Sequence, residues 1–366
     1  MSLEKHAQSK KRKNRLGFGR ILGRILLLLL VLVLMVALTV YALGALFCYG
    51  PSPTAREAFV RSVRETSAIG FIANLYLSPA EIEAIYAKTE EVYEPTDTSL
   101  ITIAKPEDRD KTQPGEDQPD PKDDPFYDED GDGISVIEIK GEAFNGYLMK
   151  IFDPHRVIMG SVPDSYYRRG YTVADMVEHF GAVAGLNAGG FEDPNGQGNG
   201  SVPDSLVVFE GQVYFAGSGC RSGFVGLDAD GYLHVASRIT TAEIEEKNIR
   251  YGVCFGPILI SNGAMASEES LASGLNPRSA IGQCADGSIL FLVIEGRQAN
   301  SVGARLTDVA EILLEYGAVN ALNLDGGSSS LLWYQGGYVN NCASVIGIRP
   351  VPTTFLVLPE EVTPHG

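Results

Sequence analysis

Hydrophobic positions along this 366-residue chain fall into one long run and many short ones. The long run, ILLLLLVLVLMVALTVYALGALF at residues 25–47, carries no charge and is long enough to cross about 30 Å of hydrocarbon. A signal peptide has a shorter apolar core of about 7–15 residues and a cleavage site with small residues, and no clear site of that kind follows. The pattern therefore predicts a transmembrane helix, with cleavage after it as the alternative.

Two segments of different character separate this run from the rest of the chain. In SPAEIEAIYAKTEEVY, Ser78 is a typical N-cap, Pro79 suits the first helical position and Glu81 completes a capping box. We therefore predict a helical juxtamembrane stalk over residues 48–103. Residues 104–133 are acidic, rich in proline and nearly free of large apolar side chains. They cannot bury enough surface to offset the entropy of ordering, so a disordered linker is predicted.

The end of this linker, DEDGDG, resembles the start of a calcium-binding EF-hand loop. Asp128, Asp130 and Asp132 match loop positions 1, 3 and 5, but position 12 is Ile139 where a bidentate Glu is needed. The residues that follow, ISVIEI, alternate as a strand does and not as the exiting helix of an EF-hand. A solvated acidic run is therefore favoured over a metal site.

From Ile134 onward, short apolar or alternating runs are separated by Gly, Asn and Asp, which is typical of strands and turns. These runs include ISVIEI, GYLMKIF, RVIMGSV, SLVVFEG, QVYFAG, YLHVAS, GPILIS, SILFLVIEG, NALNL, SLLWYQ and TTFLVLP. Helical spacing occurs at residues 172–180 and 307–317, and each helix leads into an apolar strand, an Asn and a Gly-rich turn. The pattern predicts one α+β domain over residues 134–360, with a single mixed sheet and a few helices.

The net charge of −17 conceals a strong asymmetry. Residues 1–45 contain eight Lys or Arg and one acid, and the remaining residues carry 21 basic and 45 acidic side chains, a balance of −24. Such an acidic surface repels nucleic acid, so nucleic-acid binding is excluded. Because positive charge stays on the cytoplasmic side of a membrane, residues 1–24 are predicted to form a cytoplasmic tail. The protein would then be a single-pass protein of the cell membrane with an extracellular C-terminal domain.

Few residues of the outer part suit the commonest hydrolase or metal chemistry. The chain has only five His and no G-x-S-x-G sequence, which argues against a Ser-His-Asp hydrolase. Cys220, Cys254, Cys284 and Cys342 lack C-x-x-C spacing, which disfavours a zinc site. They allow three disulfide pairings if all are oxidised, and buried free thiols fit the sequence equally well.

Four stretches, GLNAGGF, NPRSAIG, LVIEGRQ and NALNLDGGSSS, place polar residues where an apolar strand gives way to glycine. Gly-rich turns expose backbone N–H groups to an anion, and arginine offers a planar fork to phosphate. The set predicts a pocket for a phosphorylated substrate. Each stretch also has a purely structural interpretation. Asp325 could start a hairpin turn, and Glu295 could belong to an ordinary turn at a strand end. Arg278 could pair with a surface acid, and Asn187 could adopt a left-handed conformation.

Taken in order, these stretches resemble the phosphodiester glycosidase family. The family pattern runs Asn-Gly-Gly-Phe, a strand beginning Gly-Pro, Pro-Arg-Thr-Ala-Ile-Gly, Asp-Gly-Arg and Leu-Asp-Gly-Gly-Gly-Ser. The chain has NAGGF, GPILISNG, PRSAIG, EGRQ and LDGGSSS in the same order within residues 134–360. The chain departs from this pattern in four places: Ser279 replaces Thr, Glu295 replaces Asp, Ser328 replaces the third Gly, and NAGGF carries one residue more than the shortest Asn-Gly-Gly form.

The resemblance implies a membrane-anchored extracellular hydrolase that cleaves a sugar-1-phosphodiester in an envelope or exopolysaccharide glycan. A phosphate leaving group is a weak base, so this reaction needs charge stabilisation more than strong acid assistance. The resemblance implies Asp325 as the residue that stabilises the oxocarbenium-like centre or activates water, with Glu295 second, or these roles exchanged. Substrate and phosphate binding would fall to Arg278, Arg297, Asn187, Gly190, Ser279, Gly326, Gly327, Ser328 and Ser329. A divalent cation between the acids is left open, and no cofactor is assigned.

Two other classes of function stay open on the sequence. A non-catalytic glycan-binding or exopolysaccharide-assembly protein could use the same fold, although loss of the carboxylates would favour it and both are present. A stalked structural protein would carry its function in residues 53–130. The expected partners are a glycan or sugar-phosphodiester substrate and, through residues 25–47, a membrane.

Overall fold

The computed structural model describes residues 18–66, 69–86, 91, 93–103, 124–193, 198–217, 220, 222–344 and 347–360. The predicted cytoplasmic tail before residue 18 and residues 104–123 of the predicted linker lie outside the described residues. The chain divides into two compact units, Met1–Arg56 and Glu57–Gly366.

The first unit contains one long apolar helix. Helix α1, Phe18–Tyr49, has 32 residues and is therefore about 48 Å long at 1.5 Å per residue. The mean hydropathy within Gly19–Tyr49 reaches 3.1, so length and composition allow this helix to cross a membrane. A signal sequence near an N-terminus has the same features. The predicted span at residues 25–47 lies inside α1, and its place in a membrane stays a prediction.

Five further helices and seventeen strands follow α1 in the described residues. The helices are α2 (Pro53–Arg64), α3 (Pro79–Tyr86), α4 (Val173–Phe180), α5 (Thr241–Glu246) and α6 (Leu306–Glu315). The strands are β1 (Ile134–Lys140), β2 (Asn145–Ile151), β3 (Val157–Ser161), β4 (Ala184–Asn187), β5 (Val207–Phe209), β6 (Gln212–Phe215), β7 (Phe224–Asp228), β8 (Leu233–Ala236), β9 (Ile249–Cys254), β10 (Ile258–Ser261), β11 (Ala264–Met265), β12 (Arg278–Cys284), β13 (Ile289–Ile294), β14 (Ala318–Asn323), β15 (Leu332–Tyr334), β16 (Gly337–Tyr338) and β17 (Thr353–Val357). Short 3-10 helices occupy Gly70–Leu75, Thr98–Leu100, Pro154–Arg156, Pro163–Ser165 and Gly327–Ser329.

The strands form three sheets. Sheet 1 has the order β1-β2-β13-β12-β14-β10-β11, sheet 2 the order β16-β15-β4-β17-β3, and sheet 3 the order β6-β5-β9-β7-β8. Within the described residues every neighbouring pair is antiparallel, as the short turns between consecutive strands allow. The predicted α+β class is confirmed, whereas a single mixed sheet is replaced by three antiparallel ones.

The core lies between the three sheets and continues behind sheet 1. In β13, Phe291 and Val293 belong to a cluster shared with sheets 2 and 3, whereas Leu290 and Leu292 belong to the cluster that α6 covers. This alternation is expected of a strand buried on both faces, and every residue of β13 is buried. The neighbouring strands β12 and β14 are therefore held rigidly, and their ends carry the candidate site.

The segment predicted to be a stalk packs against the sheets instead. Leu275 N donates a hydrogen bond to Ser62 Oγ at 3.0 Å, and Thr102 N donates to Ala285 O at 2.8 Å. Residues 57–103 belong to the same compact unit as the sheets. The prediction of a separate stalk is wrong for these residues, because an amphipathic pattern shows that one face is buried but not which surface covers it.

Residues 124–133 of the predicted linker are also folded onto the domain. Phe126 is buried, and its ring makes a T-shaped contact with Tyr316 at 5.5 Å. The Asp132 carboxylate accepts a hydrogen bond from Tyr334 OH at 2.8 Å, and its carbonyl oxygen accepts one from Arg156 Nη1 at 2.6 Å. Disorder is therefore the wrong prediction for these residues, since one aromatic anchor and specific hydrogen bonds offset the ordering entropy.

The structure distinguishes between the two cysteine chemistries that the sequence leaves open. Cys220 and Cys254 form a disulfide with a Cα–Cα distance of 5.2 Å. Cys284 is a buried free thiol, and Cys342 is a free thiol that is partly accessible.

Candidate active site

The ends of β4 and β14 are joined through Asn187, the last residue of β4. Asn187 Nδ2 donates to the carbonyl oxygen of Asp325, two residues beyond β14, at 2.5 Å. Asn187 Oδ1 accepts from Ser279 Oγ at 2.7 Å and from Leu331 N at 3.1 Å. Asn187 and Ser279 are both fully buried. They hold the turn after β14 in place, and their predicted contacts with substrate stay a prediction.

Two glycines shape this turn. A Cβ on Gly326 would lie 2.8 Å from the Pro277 carbonyl oxygen, so no side chain fits there. Gly327 has a φ of +63°, which favours glycine, and its N donates to the same carbonyl at 2.9 Å. Ser329 lies in the 3-10 helix that follows, is buried, and hydrogen-bonds the Asp325 side chain. The run of small residues thus brings Asp325 close to the loop at Pro277.

The environment of Asp325 favours its protonated form. Burial, and to a smaller extent the negative charge of Asp204, raises the pKa of the Asp325 carboxyl from 3.8 to about 7, although the hydrogen bond from Ser329 opposes this. The residue is partly accessible to solvent, so a ligand can reach it. A carboxyl with a pKa near 7 can release and take up a proton at neutral pH, as general acid–base chemistry requires.

Arg297 lies beside the same turn in an uncommon backbone conformation. Its φ is +59°, a left-handed value that few non-glycine residues adopt. Its guanidinium Nη2 is 3.2 Å from the position that a Cβ on Gly327 would take. Burial, and then the charge of Arg278, lowers the pKa of Arg297, while Glu65 and Asp325 oppose that change. Arg278, Arg297 and Asp325 therefore lie in one region of the structure.

The second arginine, Arg278, is occupied by the segment that precedes the sheets. Its Nη2 donates to Glu65 Oε2 at 2.9 Å and to the Gly274 carbonyl at 2.7 Å, and its Nε donates to the Ala304 carbonyl at 3.2 Å. Glu65 also accepts from Gly274 N at 3.1 Å and from Asn276 Nδ2 at 2.9 Å. The buried Arg278 thus already holds an anion from its own chain, as its structural interpretation allowed.

Glu295, the second predicted catalytic acid, accepts hydrogen bonds from Asn341. It is buried, and its Oε1 accepts from Asn341 N at 2.6 Å and from Asn341 Nδ2 at 2.9 Å. Among the described residues it makes no hydrogen bond to Asp325. The carboxylate fixes the loop after β16, and a catalytic role for Glu295 stays a prediction.

Three charged residues of this region carry no recognisable sequence signal. The two terminal nitrogens of Arg349 donate to the Asp193 carboxylate at 2.7 and 3.0 Å, and Nη1 is 3.4 Å from Ser328 Oγ. Asp204 Oδ2 lies 2.7 Å from the position that a Cβ on Gly190 would take. Gly190 therefore leaves room for the Asp204 carboxylate, and Ser328 lies at the Arg349 side of the turn.

A separate group of carboxylates is close enough to share a cation. Ligand oxygens of Asp128, Asp130 and Asp132 lie within 4.8 Å of one another. Asp128 accepts hydrogen bonds from Gly131 N and Gly133 N, both at 2.9 Å, which folds the turn that leads into β1. These contacts explain the group as a turn, and we assign no metal to it.

A family model described as phosphodiester glycosidase matches residues 180–358. The SPbeta prophage-derived uncharacterized protein YomE of Bacillus subtilis (strain 168) is 30% identical over 203 residues, which are 52% of this chain and 30% of that protein. The N-acetylglucosamine-1-phosphodiester alpha-N-acetylglucosaminidase of Mus musculus is 26% identical over 216 residues, which are 53% of this chain and 41% of that protein. The chain thus spans less than half the length of either relative.

A solved structure shares the fold. It is the catalytic domain of the zebrafish N-acetylglucosamine-1-phosphodiester alpha-N-acetylglucosaminidase, described as auto-inhibited by its pro-peptide. The two structures agree with a TM-score of 0.51 at 20% sequence identity, over 62% of this chain and 82% of that one.

Proposed function

The resemblance of this chain to the phosphodiester glycosidase family is confirmed over residues 180–358, and on this premise we propose that the protein hydrolyses a sugar-1-phosphodiester. The observation that supports this most is Asp325, a carboxyl with a pKa near 7 on a glycine turn beside Arg297. The turn supplies a proton-exchanging group, and the arginine supplies positive charge for the leaving phosphate.

In the proposed reaction, the bond between sugar C1 and the phosphate oxygen breaks, and its electron pair passes to that oxygen. The product on this side is a phosphate monoester, whose charge Arg297 stabilises. Water adds to C1, and ionised Asp325 accepts the proton that the water releases. Asn187 and Ser279 act as positioning residues, since they hold the Asp325 backbone without touching the substrate.

Asp204 is a better candidate than Glu295 for the second carboxylate. Its negative charge raises the pKa of Asp325, which is the effect of two acids placed close enough to interact. The carboxylate of Glu295, by contrast, is held by Asn341. We therefore propose that Asp204 adds to the effect of burial, which is the main cause of the raised pKa of Asp325.

Glu65 would act as an internal competitor for the phosphate. Its carboxylate is held by Arg278, and the neighbouring Thr66 Oγ1 accepts from Arg297 Nη2 at 2.9 Å. The zebrafish relative is described as auto-inhibited by its pro-peptide. In this chain we propose that substrate phosphate binds Arg278 only when residues 57–66 release it.

The proposed setting is the outer face of a cell membrane, with α1 as the anchor and the sheets outside. The length and hydropathy of α1 support an anchor, and the basic residues before it support a cytoplasmic N-terminus. A glycan of the envelope or an exopolysaccharide with sugar-phosphate links is the proposed substrate. Protease treatment of intact cells tests the orientation, since it should remove the sheets but leave the basic tail.

Product analysis tests the reaction itself. The full chain in detergent is incubated with N-acetylglucosamine-1-phosphodiesters, including uridine diphosphate N-acetylglucosamine. We expect release of the free sugar together with a phosphate monoester, and an apparent pKa near 7 in the rising limb of kcat/KM. Asp204→Asn should move that limb to lower pH. Absence of sugar release from every such diester contradicts the reaction. A rising limb of kcat/KM that Asp204→Asn does not move contradicts the pairing of Asp204 with Asp325.

A further inference from the structure

A groove of about 680 Å³ is lined by none of the candidate active-site residues and has no part in the reaction described above. It is formed by the segment before α4 and by one face of α4, and its lining includes Arg168, Arg169, Tyr171, Asp175, Glu178 and His179. This volume falls within the range of about 300–1,000 Å³ that is typical of ligand sites.

The polar groups of this groove suit sugar hydroxyls. Each hydroxyl both donates and accepts hydrogen bonds, and the groove offers arginine donors together with the carboxylate acceptors Asp175 and Glu178. Arg168 and Arg169 are exposed, and neither forms an ion pair within the described residues, although the protein surface is strongly acidic. Two unpaired neighbouring arginines would also attract the phosphates of a charged glycan.

A line of rings leads away from the groove. Between the centroids of successive rings the distances are 5.6, 5.0, 6.1 and 5.9 Å. The rings are, in order, those of Tyr171, His179, Phe180, Phe209 and Tyr214. Tyr214 is in the edge strand β6 and is 45% exposed. Phe180 and Phe209 pack against the core, whereas His179 and Tyr214 on either side of them in the line are exposed and can offer a ring face to the C–H side of a sugar.

One further exposed aromatic residue is next in the chain to the two arginines of the groove. Tyr167 is 74% exposed and has a φ of +66°, an unfavourable value for a bulky residue that persists only where the surrounding structure imposes it. It directly precedes Arg168 and Arg169 in the chain. The loop thus presents a ring and two cations together.

Hydrogen bonds that run through Asn199, Gly198 and Arg349 connect the groove to the Asp325 turn. The Arg168 carbonyl accepts from Asn199 Nδ2 at 2.9 Å, and the adjoining Gly198 carbonyl accepts from Arg349 Nη2 at 3.1 Å. Arg349 reaches Ser328 in the turn itself. A glycan with its linkage at Asp325 would therefore find the groove within reach of its neighbouring sugars.

We propose that the groove and its line of rings bind the sugar units beyond the cleaved linkage, so that the substrate is a glycan chain and not a single sugar phosphodiester. This inference rests on the proposed function, because it places the chain relative to Asp325. Arg168 and Arg169 would then increase the affinity for long substrates and take no part in bond cleavage.

Chain length supplies the test. The probes are oligomers of N-acetylglucosamine joined through 1-phosphodiester links, with two and with ten sugars, and the protein is the full chain in detergent. We expect Arg168→Ala/Arg169→Ala to raise KM about tenfold for the ten-sugar oligomer, with kcat and the two-sugar KM unchanged. Tyr214→Ala should act in the same direction, and Lys140→Ala, an exposed cation of sheet 1, should change neither substrate.

Binding of the ten-sugar oligomer, measured by calorimetry, separates this inference from the proposed function. Suppose that the wild type hydrolyses neither oligomer, but binds the longer one, and that Arg168→Ala/Arg169→Ala weakens this binding. The proposed reaction is then wrong, and the proposed glycan binding by the groove is supported. If both oligomers are hydrolysed and the double variant changes neither KM nor binding, the groove is overturned and the reaction stands. Equal wild-type KM values for the two lengths also overturn the groove.

Discussion

Replacing Asp325 by Asn should make the protein more stable at alkaline pH, although it removes the proposed catalytic group. The pKa of this carboxyl is raised from 3.8 to about 7, so the folded protein holds the proton more tightly than the unfolded chain does. Below about pH 4 both states are protonated and the carboxyl costs nothing. Between about pH 4 and 7 the cost of folding grows, and above about pH 7 the ionised group is buried at full cost.

The difference between the two pKa values corresponds to at most about 4 kcal/mol. Because the residue is partly accessible, we expect about half of that, about 2 kcal/mol, or a rise in Tm of about 4–8 °C at pH 8. Differential scanning calorimetry of the wild type and Asp325→Asn at pH 4 and pH 8, in the same detergent, measures it. The two proteins should melt together at pH 4 and diverge at pH 8. Equal melting temperatures at both values would refute the claim that Asp325 is held in an unfavourable environment.

Three further substitutions test the supports of the site. Asn187→Ala should destabilise the fold by about 2–4 kcal/mol in urea titrations and lower kcat, since the buried Leu331 N–H loses its acceptor; an unchanged kcat would deny its positioning role. Gly327→Ala should lower kcat/KM because its Cβ meets Arg297, whereas Gly336→Ala, with φ of +81° and open space around it, should cost similar stability and leave kcat/KM unchanged. Glu65→Ala should raise kcat/KM about fivefold, since about 1 kcal/mol of competition is removed, while Glu57→Ala, an exposed position of the preceding helix α2, should not; a fall in kcat/KM of Glu65→Ala would make Glu65 part of the machinery.

Local sequence signals predicted the elements well wherever one residue pattern determines them. The capping box at Ser78 is present, with Ser78 N donating to Glu81 Oε2 at 2.9 Å. Strands β7 and β9 were not predicted, because Gly226 and Gly252 interrupt their apolar pattern. A Cβ on either glycine would lie 2.6 Å from the Phe224 ring, so the glycines make room for that ring. Such a requirement lies in the tertiary structure and leaves no periodic trace in the sequence.

The candidate site divides in the same way. Motif order placed Asn187, Arg278, Arg297 and the turn at Asp325 in one region, but it could not tell substrate contacts from supports, because burial depends on how the sheets pack.

Arg349, Asp193 and Asp204 lie in loops without a motif, so no sequence pattern marked them. Arg349 stands next to a proline, as Arg278 does, but an Arg beside a Pro is too common an arrangement to mark a site. The contacts of residues 57–66 with the site were not predicted for a physical reason: a Glu that follows an amphipathic helix is expected to face solvent until the surface opposite it is known.

Turnover of a sugar-1-phosphodiester by Asp325→Asn tests the central claim most directly. The variant keeps the size of the side chain, and calorimetry at the assay pH verifies that it is folded. We expect a fall in kcat of at least about a thousandfold with KM little changed, because the group acts on the reacting atoms and not on binding. A kcat within about tenfold of the wild type would contradict the account.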